Sequence, residues 1–125
     1  MTDPTASEHL AGARTFLGAR DRLKGDLPGW AVTATFYSAV HFVRSYLVAH
    51  HGVRVGRHDD MHNLWKRHPE LRRIKAEYEL LKQKSEQFRY YLVDFTEREV
   101  DELGRHLSKI RSVVQPWVER DLSKD

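Results

Sequence analysis

The stretch from Trp30 to Ala49, WAVTATFYSAVHFVRSYLVA, constrains the fold more than any other part of the chain. Fourteen of its twenty residues are apolar, and the polar ones are mostly small: Thr33, Thr35, Ser38 and Ser45. Apolar residues fall on every side of a 3.6-residue wheel, which predicts a helix covered by neighbours on several faces. His41 and Arg44 interrupt it too strongly for a membrane span, and no flank resembles an anchor. Tyr37, His41 and Arg44 stand at i, i+4 and i+7, so three hydrogen-bonding groups share one stripe. The plainest account of that stripe is a polar network that fixes helix packing.

At 125 residues the chain reads as one domain, 1–125, large enough to bury a core without staples. It contains no cysteine, which excludes disulfides, thiolate metal sites and thiol catalysis. The opening MTDPTASEHL has no basic region followed by an apolar run, so the expected location is cytoplasmic. Net charge is +3 but uneven: residues 54–89 carry ten Lys/Arg against six Asp/Glu, the remainder eleven against twelve. That mid-chain excess, where several histidines also cluster, suits a polyanionic partner.

Thr5-Ala6-Ser7-Glu8 matches a capping box, so a first helix is expected from there to Leu27. Leu10, Ala13, Phe16 or Leu17, Leu23 and Leu27 supply its apolar side; Arg14, Arg20 and Lys24 face out. Pro28-Gly29 separates it from the central helix, which should end at His50-His51-Gly52. Residues 52–58 are too short and isolated for a sheet. A short helix is expected from Asp59 to Arg67, its acidic start matched to the helix dipole. Pro69 then opens a helix whose seam is Leu71, Ile74, Tyr78, Leu81, Ser85, Phe88, Leu92 and Phe95. Thr96-Glu97-Arg98-Glu99 is a second capping box, and the last helix carries Val100, Leu103, Leu107, Ile110, Val114 and Trp117. Pro116 should kink or fray its end. The expected fold is all-α, an antiparallel four-helix bundle with an additional short helix.

The segment Phe36-Tyr37-Ser38-Ala39-Val40-His41-Phe42-Val43-Arg44 resembles the second helix of HEPN domains. A basic, histidine-containing loop and then Arg89-Tyr90-Tyr91-Leu92-Val93-Asp94-Phe95 before a final amphipathic helix continue the likeness. The resemblance spans roughly residues 5–115 and rests on loose helical motifs. It implies a dimerising helical bundle of the kind found in toxin–antitoxin, phage-defence and RNA-processing systems. Many such domains resemble metal-independent ribonucleases that use an Arg-x(4–6)-His motif. This chain departs from that pattern, because five and six residues beyond Arg89 stand Asp94 and Phe95. The local match of that form is Arg57-His58-Asp59-Asp60-Met61-His62, in the preceding connection. Either the motif has been lost, as in relatives that resemble non-catalytic partners, or Arg57 and His62 act on their own.

Cleavage through the 2′-hydroxyl needs a proton acceptor, a proton donor and positive charge on the phosphate. His62 can serve either proton role, while Arg57 and Arg89 can supply the charge. The competing account is an exposed helix start whose Arg57, His58 and His62 pair with Asp59 and Asp60. His58 and His62 are also four apart, and Asp59 could join them on a metal with His50 or His51 near. No HExxH-like spacing supports that, so neither a metal nor a cofactor is expected. Lys66, Arg67, Arg72, Arg73 and Lys75 resemble a nucleic-acid patch beside Trp65, but Glu70, Glu77 and Glu79 interleave with them. Tyr90 and Tyr91 are adjacent and cannot both face the core.

Three functions follow. One is a HEPN-like module that binds RNA or a protein partner such as a nucleotidyltransferase-like protein. Another is a metal-independent ribonuclease using Arg57, His62 and Arg89. The third is a purely structural helical dimer. All three include a homodimer, expected around the end of the central helix, residues 52–68 and the start of the following helix, and none involves a membrane. His41, Arg44, Arg57, His62 and Arg89 are expected to converge on one groove. There Arg44 either pairs with Asp94 or points into a wet cleft.

Overall fold

Two capping boxes set the ends of the bundle as the sequence predicts. The Thr5 hydroxyl accepts the Glu8 N–H at 3.1 Å and the Glu8 carboxylate accepts the Thr5 N–H at 3.0 Å, which starts α1, Ala6–Leu23. Thr96 and Glu99 make the same reciprocal pair ahead of the final helix. In the computed structural model, residues 2–53, 61 and 63–124 are described. Arg57, His58 and His62, with Asp59 and Asp60, lie outside the described residues.

Helix α1 ends four residues earlier than predicted. Leu27 becomes the N-cap of α2, Pro28–His51, with Pro28 in its first turn, so its side chain stays half exposed instead of extending α1. Gly52, at φ 65°, closes α2 in the left-handed conformation, and its N–H donates to the carbonyls of Leu47 and Val48.

Helix α2 is the core. Val32, Phe42, Val43 and Leu47 are fully buried, and α1, α4 and α5 all pack on it. Even the small polar residues are satisfied inside: Ser38 donates to the Ala13 carbonyl at 2.8 Å and Thr35 to that of Ala31 at 2.8 Å. The apolar surface of α2 is covered within one chain, and of its large hydrophobic residues only Trp30, at the N-terminal end, stays exposed.

The short helix α3 spans Leu64–Arg67, not Asp59–Arg67. Asn63 sits at φ 58°, a left-handed conformation that cannot lie inside a helix begun at Asp59. A 3-10 turn, Pro69–Ile74, leads into α4, Lys75–Tyr91. The predicted seam holds through Ser85, but α4 stops at Tyr91 rather than near Phe95. Leu92 turns left-handed at φ 54°, and the Val93 N–H reaches back to the Gln87 carbonyl at 3.1 Å. The turn rotates Leu92 into solvent, 80% exposed, while the extended residues beyond it still return Phe95 to the core. Helix α5, Glu97–Leu122, runs past Pro116 instead of fraying there. Pro116 and Ser112, whose carbonyl loses its partner, both lie on the exposed face, where water can take the freed acceptor. Among the described residues there is no strand.

Two ion pairs tie the layers together: Lys24, the C-cap of α1, with Asp101 on α5 at 3.0 Å, and Glu77 on α4 with Lys109 on α5. Helix α2 meets α4 closely at Gly29. A side-chain carbon added at Gly29 would overlap the Phe88 ring, which also meets Trp30 edge-on at 5.1 Å between centroids.

Candidate functional site

The stripe Tyr37, His41 and Arg44 lies half buried on α2, between α1 on one side and α4 on the other. From α1, His9 and Phe16 close over it. The two histidine Nδ1 atoms stand 3.0 Å apart, so one must donate and the other accept. Phe16 stacks on His41 at 5.4 Å and tilts against Tyr37 at 5.6 Å. His9 carries no signal of its own in the sequence. Its place is legible only through its spacing, since His9, Ala13 and Phe16 repeat the i, i+4, i+7 pattern of the stripe they face.

Burial, with help from the neighbouring His9 and Arg44 charges, pushes the His41 pKa down to about 4. Burial also lowers that of His9, again with Arg44 contributing. Both imidazoles are therefore neutral at pH 7, and the positive charge of this face belongs to its arginines.

Arg89 reaches the stripe from α4. Its Nε donates to Ser85 Oγ at 3.0 Å and its Nη1 to the hydroxyls of Tyr37 and Tyr90, each at 3.3 Å. Ser85 Oγ donates in turn to Thr33 Oγ1 at 3.3 Å. The guanidinium lies 5.6 Å from the Tyr37 ring centroid and 5.0 Å from that of Tyr90. Hydroxyls and aromatic faces hold this arginine, and no carboxylate among the described residues neutralises it.

The pairing of Arg44 with Asp94 is not found. Because α2 and α4 run antiparallel, Gly29 meets Phe88 while Phe36 meets Tyr78. Arg44 thus sits beyond the Tyr78 level, about 20 Å of helix from the end where Asp94 lies exposed. The Arg44 Nε is buried and has no hydrogen-bond partner among the described residues. Arg44 and Arg89 are separated by about 10 Å along α2, with His41 and Tyr37 between them.

Lys66 and Arg67 project into solvent from α3. Trp65 is packed rather than presented: its Nε1 donates to Glu79 at 2.8 Å and its ring meets Tyr78 edge-on at 5.4 Å. Tyr90 and Tyr91 are both exposed, and with Leu27, Trp30 and Leu92 they are the most exposed large hydrophobic residues among the described residues. This apolar surface is at the α1–α2 turn and the end of α4, opposite to where an interface was expected. The spacing Arg44-x(5)-His50 also fits an Arg-x(4–6)-His motif. Six helical residues turn the two side chains about 120° apart. His50 accordingly lies in another cluster, bonded to Asp121 at 3.0 Å and stacked on Tyr46.

Among the described residues, no helix is long and apolar enough to cross a membrane. No curated protein and no solved structure gives a match. The HEPN domain model matches residues 6–119, which takes in every helix described above except the last turn of α5. The chain belongs to the HEPN domain family.

Proposed function

We propose that this HEPN domain is an RNA-binding module that acts as a homodimer and holds phosphate on the Arg89–Arg44 face without cleaving it. The observation that carries the reading is the Arg89 guanidinium. It is oriented by Ser85, Tyr37 and Tyr90 and is not paired with a carboxylate among the described residues. A guanidinium fixed by neutral acceptors keeps its full charge for an incoming anion, and its planar fork suits a phosphate. Tyr90, exposed and in contact with Arg89, offers a face on which an unpaired base stacks, and Tyr91 is exposed at the same end of α4.

Binding is favoured over cleavage because the positions after Arg89 where active relatives place histidine hold Asp94 and Phe95. His41, the histidine of the stripe, spends its Nδ1 on His9. Arg57 and His62, with Arg89, belong to the ribonuclease alternative, and Lys66 and Arg67 extend the basic surface. The exposed patch of Leu27, Trp30 and Leu92 supports self-association, and a protein partner such as a nucleotidyltransferase-like chain would compete for that patch.

The test is single-stranded RNA incubated with wild type, His62→Ala and Arg89→Ala in the presence of a chelator. Binding and cleavage are measured in parallel. Wild type and His62→Ala are expected to bind without cutting, and Arg89→Ala to bind weakly. Cleavage that His62→Ala abolishes would replace this reading with the ribonuclease.

A further inference from the structure

At the other end of α2, about 20 Å from Tyr37, three metal-ligating groups meet. His51 is the last residue of α2; His68 and Glu70 flank Pro69 where the 3-10 turn begins. One ring nitrogen from each histidine and one carboxylate oxygen of Glu70 all lie within 4.8 Å of one another. His51 Nε2 is 3.0 Å from Glu70 Oε2, and the two imidazole centroids are 4.4 Å apart.

The surroundings are those of a built site. The Tyr46 hydroxyl donates to the same Glu70 oxygen at 3.0 Å and fixes the carboxylate from behind, as outer-shell groups orient ligands around a metal. His68 Nδ1 is out of contact with solvent and has no hydrogen-bond partner among the described residues, an uncommitted donor atom beside two others.

We propose that His51, His68 and Glu70 bind a divalent zinc ion, with solvent completing a four-coordinate shell. Two imidazoles and one carboxylate suit zinc and disfavour magnesium or calcium, which take oxygen ligands. Ligands within 4.8 Å of one another close onto a central ion with small side-chain movements, because a tetrahedral zinc shell separates them by about 3.3 Å. Such an ion joins the end of α2 to the start of the 3-10 turn and so clips together both ends of the connection that carries Arg57 and His62. Closing that loop stabilises the fold. The proposal is independent of the RNA reading, since it uses none of the Arg89-face residues.

The experiment uses the full chain without a polyhistidine tag, stripped with chelator and titrated with zinc alone by calorimetry. Cobalt serves as a spectroscopic probe of coordination. Wild type is expected to take up one equivalent, to show the intense visible bands of low-coordinate cobalt, and to melt at a higher temperature with zinc. His51→Gln, at an exposed helix end, and Glu70→Gln, which keeps its volume, should each weaken binding at least tenfold while circular dichroism stays helical. The double variant His58→Ala/His62→Ala should bind as wild type does. No stoichiometric uptake by wild type, unchanged affinity in His51→Gln and Glu70→Gln, or loss of binding in the His58/His62 double variant would overturn the assignment.

Discussion

The Arg89 guanidinium on α4 donates to the Tyr37 hydroxyl on α2 at 3.3 Å while lying 5.6 Å from the centre of the same ring. One tyrosine thus orients the arginine through its hydroxyl and favours its charge through its π-face. Tyr37→Phe removes the first interaction and keeps the second. Weaker RNA binding by a few-fold is expected, with a much larger loss for Arg89→Gln, measured by fluorescence anisotropy. Equal losses in the two variants would mean that Tyr37 touches the nucleic acid itself.

Of the described glycines, Gly29 leaves the least room for a side chain. Gly29→Ala places a methyl group where the Phe88 ring now lies, so Phe88 must leave its rotamer or α4 must shift. A loss of roughly 1–3 kcal/mol is expected in chemical denaturation, as for other overpacked cores. The double variant Gly29→Ala/Phe88→Leu should recover part of it.

Phe36 is buried against α4, its ring edge-on to Tyr78 at 5.7 Å. Phe36→Ala should cost about 3–5 kcal/mol. A shift below about 1 kcal/mol would place Phe36 at a surface instead.

Acid should destabilise the fold through its buried histidines. His41 titrates near pH 4 in the folded chain, against the ordinary histidine value of about 6.5 when unfolded. Between those limits the unfolded chain binds the extra proton, so stability is present above about pH 6.5 and falls as pH drops toward 4. His9 and His68, both lowered by burial, add in the same direction. Denaturation midpoints measured from pH 7.5 to 4.5 should fall, and His41→Gln should flatten the slope.

Self-association should use the α1–α2 turn and the end of α4. Wild type is expected to sediment as a dimer at tens of micromolar, about the range in which weak dimers form. Trp30→Lys or Leu92→Lys, at residues 52% and 80% exposed, should give monomers without loss of helicity. A wild-type monomer at those concentrations would remove the dimer from the account.

Most of the fold is legible in the sequence because its signals are local. Thr5 and Thr96 with their glutamates, Gly52 after α2, and the three-four spacing of Leu71 to Ser85 each fix an element without distant information. The misplaced ends lack such signals. Leu92 adopts a left-handed turn that ordinarily favours glycine, so periodicity continued α4 through a residue that ends it. The site is harder because it depends on register between helices. The antiparallel register that sets Gly29 against Phe88 separates Arg44 from Asp94, and nothing in their sequence spacing reveals it. His51 and His68–Glu70 approach for the same reason: they sit at two ends of one connection, 17 residues apart in the chain.

The central claim, that Arg89 and Arg44 hold phosphate, is tested most directly by the salt dependence of single-stranded RNA affinity. Wild type is compared with Arg44→Gln/Arg89→Gln, each followed from low to physiological salt by anisotropy. Each phosphate contact on a single strand contributes about 0.7 to the slope of log affinity against log salt. The double variant should bind more weakly, with a slope shallower by about 1.4, the value for two lost contacts. Equal affinity and equal slope in wild type and variant would contradict the account.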